Sequence, residues 1–107
     1  MLPKVRLLGE PQALLGQKEH RFQPSRRYQL LAYLAYTNSR VSREKLADVF
    51  WSHTDSQAAR RNLRKVLFEA KNLEWAKGFD HDERGASWQV ETDVAAFEEA
   101  VKQKQWS

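Results

Sequence analysis

The sequence has no cysteine, which excludes a disulfide framework, a thiol nucleophile and a thiolate metal site, and fits a reducing compartment. It also lacks any run of about 18 apolar residues, the length that spans a bilayer. Met1-Leu2-Pro3-Lys4 has no signal-peptide apolar core, so a soluble, cytoplasmic protein without a membrane partner is expected. There is no internal repeat, low-complexity tract or interior linker. No Gly-rich phosphate loop, nucleophile with an evident base, or paired carboxylates stand out. His20, His53 and His81 share no metal-ligand spacing, and adjacent residues of Asp80-His81-Asp82-Glu83 cannot all converge on one ion. Enzyme activity is the weakest reading, and no catalytic residue, cofactor or metal is expected.

What the chain does have is concentrated positive charge. Its 107 residues, 41% hydrophobic and 11% aromatic, suit one folded domain with a small core. Residues 55–73 read as an amphipathic helix. At 100° per residue, Ala59, Leu63, Val66, Leu67, Ala70 and Leu73 form one apolar stripe. Gln57, Arg61, Arg64, Lys65 and Asn72 face away from it, with Arg60 and Lys71 on a flank. Past its N-terminal Asp55 the helix sets five cations against Glu69 alone, a balance of +4 that equals the net charge of the whole chain. The rest of the molecule is therefore roughly neutral, and an anionic partner is expected at this one helix.

The remaining pattern supplies the helix with a setting. Val5–Leu8, Ala13–Leu15 and Glu19–Phe22, punctuated by Gly9, Pro11 and Gly16, read as strands of a small antiparallel sheet. Ser25 offers an N-cap to helix one, Arg26 to Tyr36, in which Tyr28, Leu30, Leu31, Leu34 and Ala35 recur at helical spacing. Ser42 caps helix two, Arg43 to Phe50, with Leu46, Val49 and Phe50 as its buried stripe. Thr54 or Asp55 caps helix three, about 18 residues and roughly 27 Å long. Gly78 and Gly85 bracket residues 79–84, and Ala86–Val90 alternates as a half-buried strand, a hairpin candidate. Asp93 caps a final helix whose apolar stripe is Val94, Phe97 and Val101. The expected fold is α+β: a winged helix-turn-helix with a small N-terminal antiparallel sheet, a three-helix core, a β-hairpin wing and a C-terminal linker helix. Residues 1–92 would form the DNA-binding domain and 93–107 the linker helix.

At this point a family pattern emerges. Val41-Ser42-Arg43-Glu44-Lys45-Leu46, then Phe50-Trp51, then Ala58-Ala59-Arg60-Arg61-Asn62-Leu63-Arg64-Lys65-Val66-Leu67 resemble the DNA-binding domain of SARP-type bacterial activators, an OmpR/PhoB-like winged helix. The resemblance runs from Val5-Arg6-Leu7-Leu8-Gly9 through Ser25-Arg26-Arg27 to Glu91-Thr92-Asp93-Val94 with Phe97-Glu98. It implies a cytoplasmic transcription activator that binds promoter direct repeats, often as a head-to-tail pair, and helps recruit RNA polymerase. It implies too that helix three reads the major groove and the wing touches the adjacent minor groove or its phosphates. The stretch from Glu91 looks like the start of the family's linker to an activation domain, so the sequence reads as a fragment or an unusually short member. Two features depart from the family. Ser52 and His53 stand where a Pro and an acidic residue usually follow the Trp, and the wing carries Asp80, Asp82 and Glu83 with Arg84 its one clear cation.

Among the individual residues, Arg61, Arg64 and Lys65 suit guanine edges and phosphates. Four cations within residues 60–65, without interleaved carboxylates, repel one another; the alternative is a merely solvated face. Arg60 suits a phosphate contact or a structural ion pair, and Gln57 either adenine readout or capping. Arg43, at the start of helix two, suits a phosphate or is a plain surface charge. Phe68 falls among the cations and is expected to pack on the wing strand rather than on a sugar. Arg26 and Arg27 begin helix one rather than brace it on a phosphate backbone. Trp51 and Trp88 are expected in the core rather than as stacking platforms. The function expected is sequence-specific double-stranded DNA binding by a bacterial transcription regulator. The alternative is a winged-helix interaction module for an acidic protein partner.

Overall fold

Two glycines at positive φ, Gly9 (81°) and Gly16 (63°), turn the N-terminal chain into a meander of β1 (Lys4–Arg6), β2 (Gln12–Leu15) and β3 (Lys18–Arg21). The computed structural model that shows this describes residues 1–105. Register places Val5 opposite Ala13 and Ala13 opposite His20. Val5 and Ala13 are buried, and the His20 ring stacks on Trp75 at 5.6 Å. Each strand begins one residue earlier than the sequence pattern predicts. β7 (Glu91–Thr92), which the pattern did not predict, adds to the sheet as a parallel neighbour of β1, giving the order β3-β2-β1-β7.

Helix α1 (Arg26–Thr37) buries Tyr28, Leu30, Leu31, Leu34 and Ala35, the predicted stripe, and stops at Asn38, whose left-handed backbone (φ 52°) lets its amide donate to the Leu34 carbonyl. Ser25 occupies the N-cap position, but its hydroxyl makes no capping bond. Three residues past Arg40 begins α2 (Arg43–Trp51), capped by Ser42, whose hydroxyl accepts from the Lys45 amide at 3.1 Å. Helix α3 (Ser56–Lys71) follows, capped by Asp55, whose carboxylate accepts from the Ala58 amide at 3.3 Å. It is two residues shorter than expected, so Leu73 lies beyond its end and is only half-buried.

In α2 the buried sector runs from Leu46 through Phe50 toward Ala47 and Trp51. Val49 lies on the opposite side of Leu46 and is 40% exposed, contrary to the predicted stripe. Trp51 is half-buried rather than central. Trp88, by contrast, is fully buried, and its indole Nε1 donates to the Lys77 carbonyl at 2.9 Å. It sits beyond the ladder, because the predicted strand Ala86–Val90 is shorter in the structure. β6 (Gly85–Ser87) pairs with β5 (Asp80–His81) on one side and on the other with β4 (Val41–Ser42), a strand the sequence did not announce. Leu30, Leu31, Leu34, Leu46, Leu63, Leu67 and Trp88 fill the space between the helices and these sheets.

The C-terminal helix α4 (Asp93–Gln105) is capped differently from expectation. Thr92 Oγ1 accepts from the Ala95 amide at 3.1 Å, while the Asp93 carboxylate reaches back to the amides of Leu7 (2.7 Å) and Leu8 (3.2 Å). Phe97 is 59% exposed, so the stripe of α4 is not covered. Of the expected linker helix 93–107, Trp106 and Ser107 lie outside the described residues. No helix among the described residues is long and apolar enough to cross a membrane.

Candidate nucleic-acid interface

Helix α3 turns Ala59, Leu63, Val66, Leu67 and Ala70 inward, where it packs on α1 and α2. The period of 3.6 then leaves Gln57, Arg61, Arg64, Lys65 and Phe68 on the outer face, all exposed. Among the described residues, no carboxylate lies within 4.0 Å of Arg60, Arg61, Arg64 or Lys65; the ion pairs are Lys4–Glu91, Arg21–Glu10 and the Arg40 pairs with Asp80 and Asp82. The structural ion pair considered for Arg60 is thus not found among the described residues. Lys71, on the flank, is occupied, its Nζ donating to the Phe79 carbonyl at 3.2 Å.

Beside this face, α2 and α3 enclose an open groove of about 490 Å³. Ala47, Trp51, Ala59 and Leu63 give it an apolar lining, Arg43, Arg60 and Arg64 line it with cations, and Glu44, Asp48 and Glu83 with acids. Arg64 therefore belongs both to the outer face and to the groove, whereas Arg61 belongs to the face alone.

Phe68 corrects the sequence reading. It is 66% exposed rather than packed on the hairpin. The reason is angular: the hairpin region meets α3 through Lys71, about 60° round the helix from Phe68.

The hairpin's acids are committed to the fold. Arg40 bridges Asp82 (2.7 Å) and Asp80 (3.2 Å). The Asp82 carboxylate also accepts from the amides of Arg84 (2.8 Å) and Gly85 (3.1 Å), closing the turn. The Arg40 guanidinium and these amides hold the Asp82 carboxyl down to about 2, and the two carboxylates raise Arg40 in return. Arg43 is engaged as well. Its Nε donates to the Asp82 carbonyl at 2.7 Å and its amide to the Arg84 carbonyl at 3.2 Å, so this proposed phosphate contact acts first as a clamp between α2 and the hairpin. His81 is pushed below its ordinary value by burial and by the charges of Arg43 and Lys71. Glu83 and Arg84 remain exposed at the tip.

Of the predicted residues, then, Gln57, Arg61, Arg64 and Lys65 share one face, Arg60 and Arg43 flank the adjoining groove, and Arg84 sits on the hairpin tip. Arg40 escaped the sequence reading, because only the pairing of β4 with β6 carries it to Asp80 and Asp82. At the level its architecture defines, the chain is a small α+β domain with four helices and two small sheets. Comparison with protein-family models, curated proteins and solved structures returned no match.

Proposed function

We propose that this domain is a winged helix-turn-helix that binds double-stranded DNA in a sequence-specific manner, as a bacterial transcription regulator of the kind its sequence resembles. The observation that carries the proposal is the outer face of α3, where Arg61, Arg64 and Lys65 stand exposed with no carboxylate of the described residues within 4.0 Å. Cations without partners repel one another and gain when a phosphate chain neutralises them and releases its counterions. In this reading α3 lies in the major groove, with Gln57, Arg61 and Arg64 toward base edges and Lys65 and Arg60 toward phosphates. The β5–β6 hairpin is the wing, and Arg84 is its DNA-facing cation. The resemblance extends the proposal to activation from direct repeats by a head-to-tail pair and to contact with RNA polymerase in the cytoplasm.

Duplexes selected from a random pool, titrated at several salt concentrations, test the reading. With Z phosphates contacted, the logarithm of affinity should fall against that of salt with a slope of about −0.9Z. Affinity indifferent both to salt and to Arg61→Ala would overturn it. A second reading, an interaction module for an acidic protein, draws on the groove between α2 and α3, whose apolar lining and three arginines would suit an acidic, apolar segment. A partner that stays bound after nuclease treatment would favour that alternative.

A further inference from the structure

We propose that Phe68 is a base-reading residue that contacts the 5-methyl group of a thymine, an assignment that rests on α3 lying in the major groove. Phe68 is the one large apolar side chain on the outer face of α3, and 66% of it is exposed. It falls on the same line of the helix as Gln57, Arg61 and Arg64, at i, i+4, i+7 and i+11 spacing, so a surface that receives those residues receives the ring as well. The cations along that line are complementary to a polyanion, not to an apolar protein surface. Along the base edges of the major groove the apolar group on offer is the thymine methyl; the other positions are hydrogen-bond donors and acceptors that a phenyl ring cannot satisfy.

The local backbone suits such a role. Asn72 Nδ2 donates to the Phe68 carbonyl at 3.1 Å and the Asn72 amide donates to the same oxygen at 3.2 Å, so the helix is closed beyond Phe68 rather than frayed at it. Those bonds also commit Asn72, which the sequence placed on the DNA side, to the helix end. Seven residues separate Arg61 from Phe68, about 10 Å along the axis, or roughly three steps at about 3.4 Å per nucleotide. The thymine should therefore lie about three base pairs from the base read by Arg61.

The test uses the full chain and a duplex selected from a random pool, in which each thymine in turn is replaced by uracil, removing only the methyl. One replacement, about three base pairs from the position sensitive to Arg61→Ala, should weaken binding about fourfold, the worth of one buried methyl. Phe68→Ala should bind the thymine and uracil duplexes equally while keeping the salt slope of the parent, and its far-ultraviolet circular dichroism should be unchanged. Phe68→Leu should restore part of the thymine preference. If Phe68→Ala weakens both duplexes alike, the ring packs on sugar and the assignment is overturned. If no thymine replacement matters although Arg61→Ala still weakens binding, the assignment fails and DNA binding stands. If no duplex is bound in a salt-dependent way, both fail together.

Discussion

On α3, Arg60, Arg61, Arg64 and Lys65 have no carboxylate partner among the described residues, while on the β5–β6 hairpin Asp80 and Asp82 are held by Arg40, and Asp82 by two further amides. The hairpin charges are used up in fixing the turn and tying it to β4 and α2. Those four of α3 enter no ion pair among the described residues and are available to an anion. Charge count alone would have assigned the two regions opposite affinities for DNA. Pairing changes the assessment, because the hairpin's acids are largely neutralised where they stand, leaving Glu83 and Arg84 at its tip to offset one another. Charge that builds the fold is thus distinct from charge available to a partner, and substitution tells the two apart.

The largest expected effect is on stability and lies in the hairpin. A Cβ at Gly85 would run into the Val41 carbonyl, where β6 meets β4. Gly85→Ala should cost about 3 kcal/mol in urea denaturation, the upper range for overpacking a rigid site. Next comes binding: Arg61→Ala and Arg64→Ala should each cost about 1 to 3 kcal/mol in affinity for a selected duplex. Their urea stabilities should stay within about 0.5 kcal/mol of the parent with the salt slope close to the parent's, whereas combining Arg60→Ala with Lys65→Ala, the phosphate-facing pair, should make that slope shallower by about 2. A large loss of stability in either would show that these charges serve the fold and would erase the contrast.

Arg40→Ala should have a smaller and opposite signature, a lower urea midpoint with an unchanged DNA salt slope, since its guanidinium sits on exposed carboxylates. The smallest effect is in pH. Asp82 has its folded value held to about 2 against an ordinary 3.8, so its contribution is complete above about pH 4 and disappears as pH falls toward 2. Arg40→Ala should flatten that part of a stability-against-pH curve. His81, lowered in the folded protein by burial and by Arg43 and Lys71, favours folding above its ordinary value of 6.5. That gain should decline as pH falls below 6.5, and His81→Phe should remove this earlier slope.

Helical segments could be read from the sequence because their determinants are local. Ser42 and Asp55 cap the helices they precede, and the stripe of α3 is buried from Ala59 to Ala70. Val49 failed because a nine-residue helix has two sides that are both partly apolar, and only packing chooses between them. β4, β7 and the role of Arg40 failed for a different reason. Each depends on a pairing between distant segments only two residues wide, too short for any period to register. The exposed α3 face was foreseen by the same periodicity that foresaw its buried one. Phe68 was misplaced because the pattern cannot say how far the hairpin wraps round the helix.

The parallel seam between β1 and β7, sealed by Asp93 on the Leu7 and Leu8 amides, pairs Lys4 with Glu91 and Val5 with Thr92, residues 87 positions apart. On the ribosome, which adds about 5 to 20 residues per second, that separation corresponds to a wait on the order of ten seconds. Until residues 91–93 emerge, the β1–β2–β3 meander has an open edge whose backbone donors and acceptors can pair with another chain. The domain is therefore born with a sticky margin, and the two residues of β7, pinned by Asp93 behind them, are the piece that covers it.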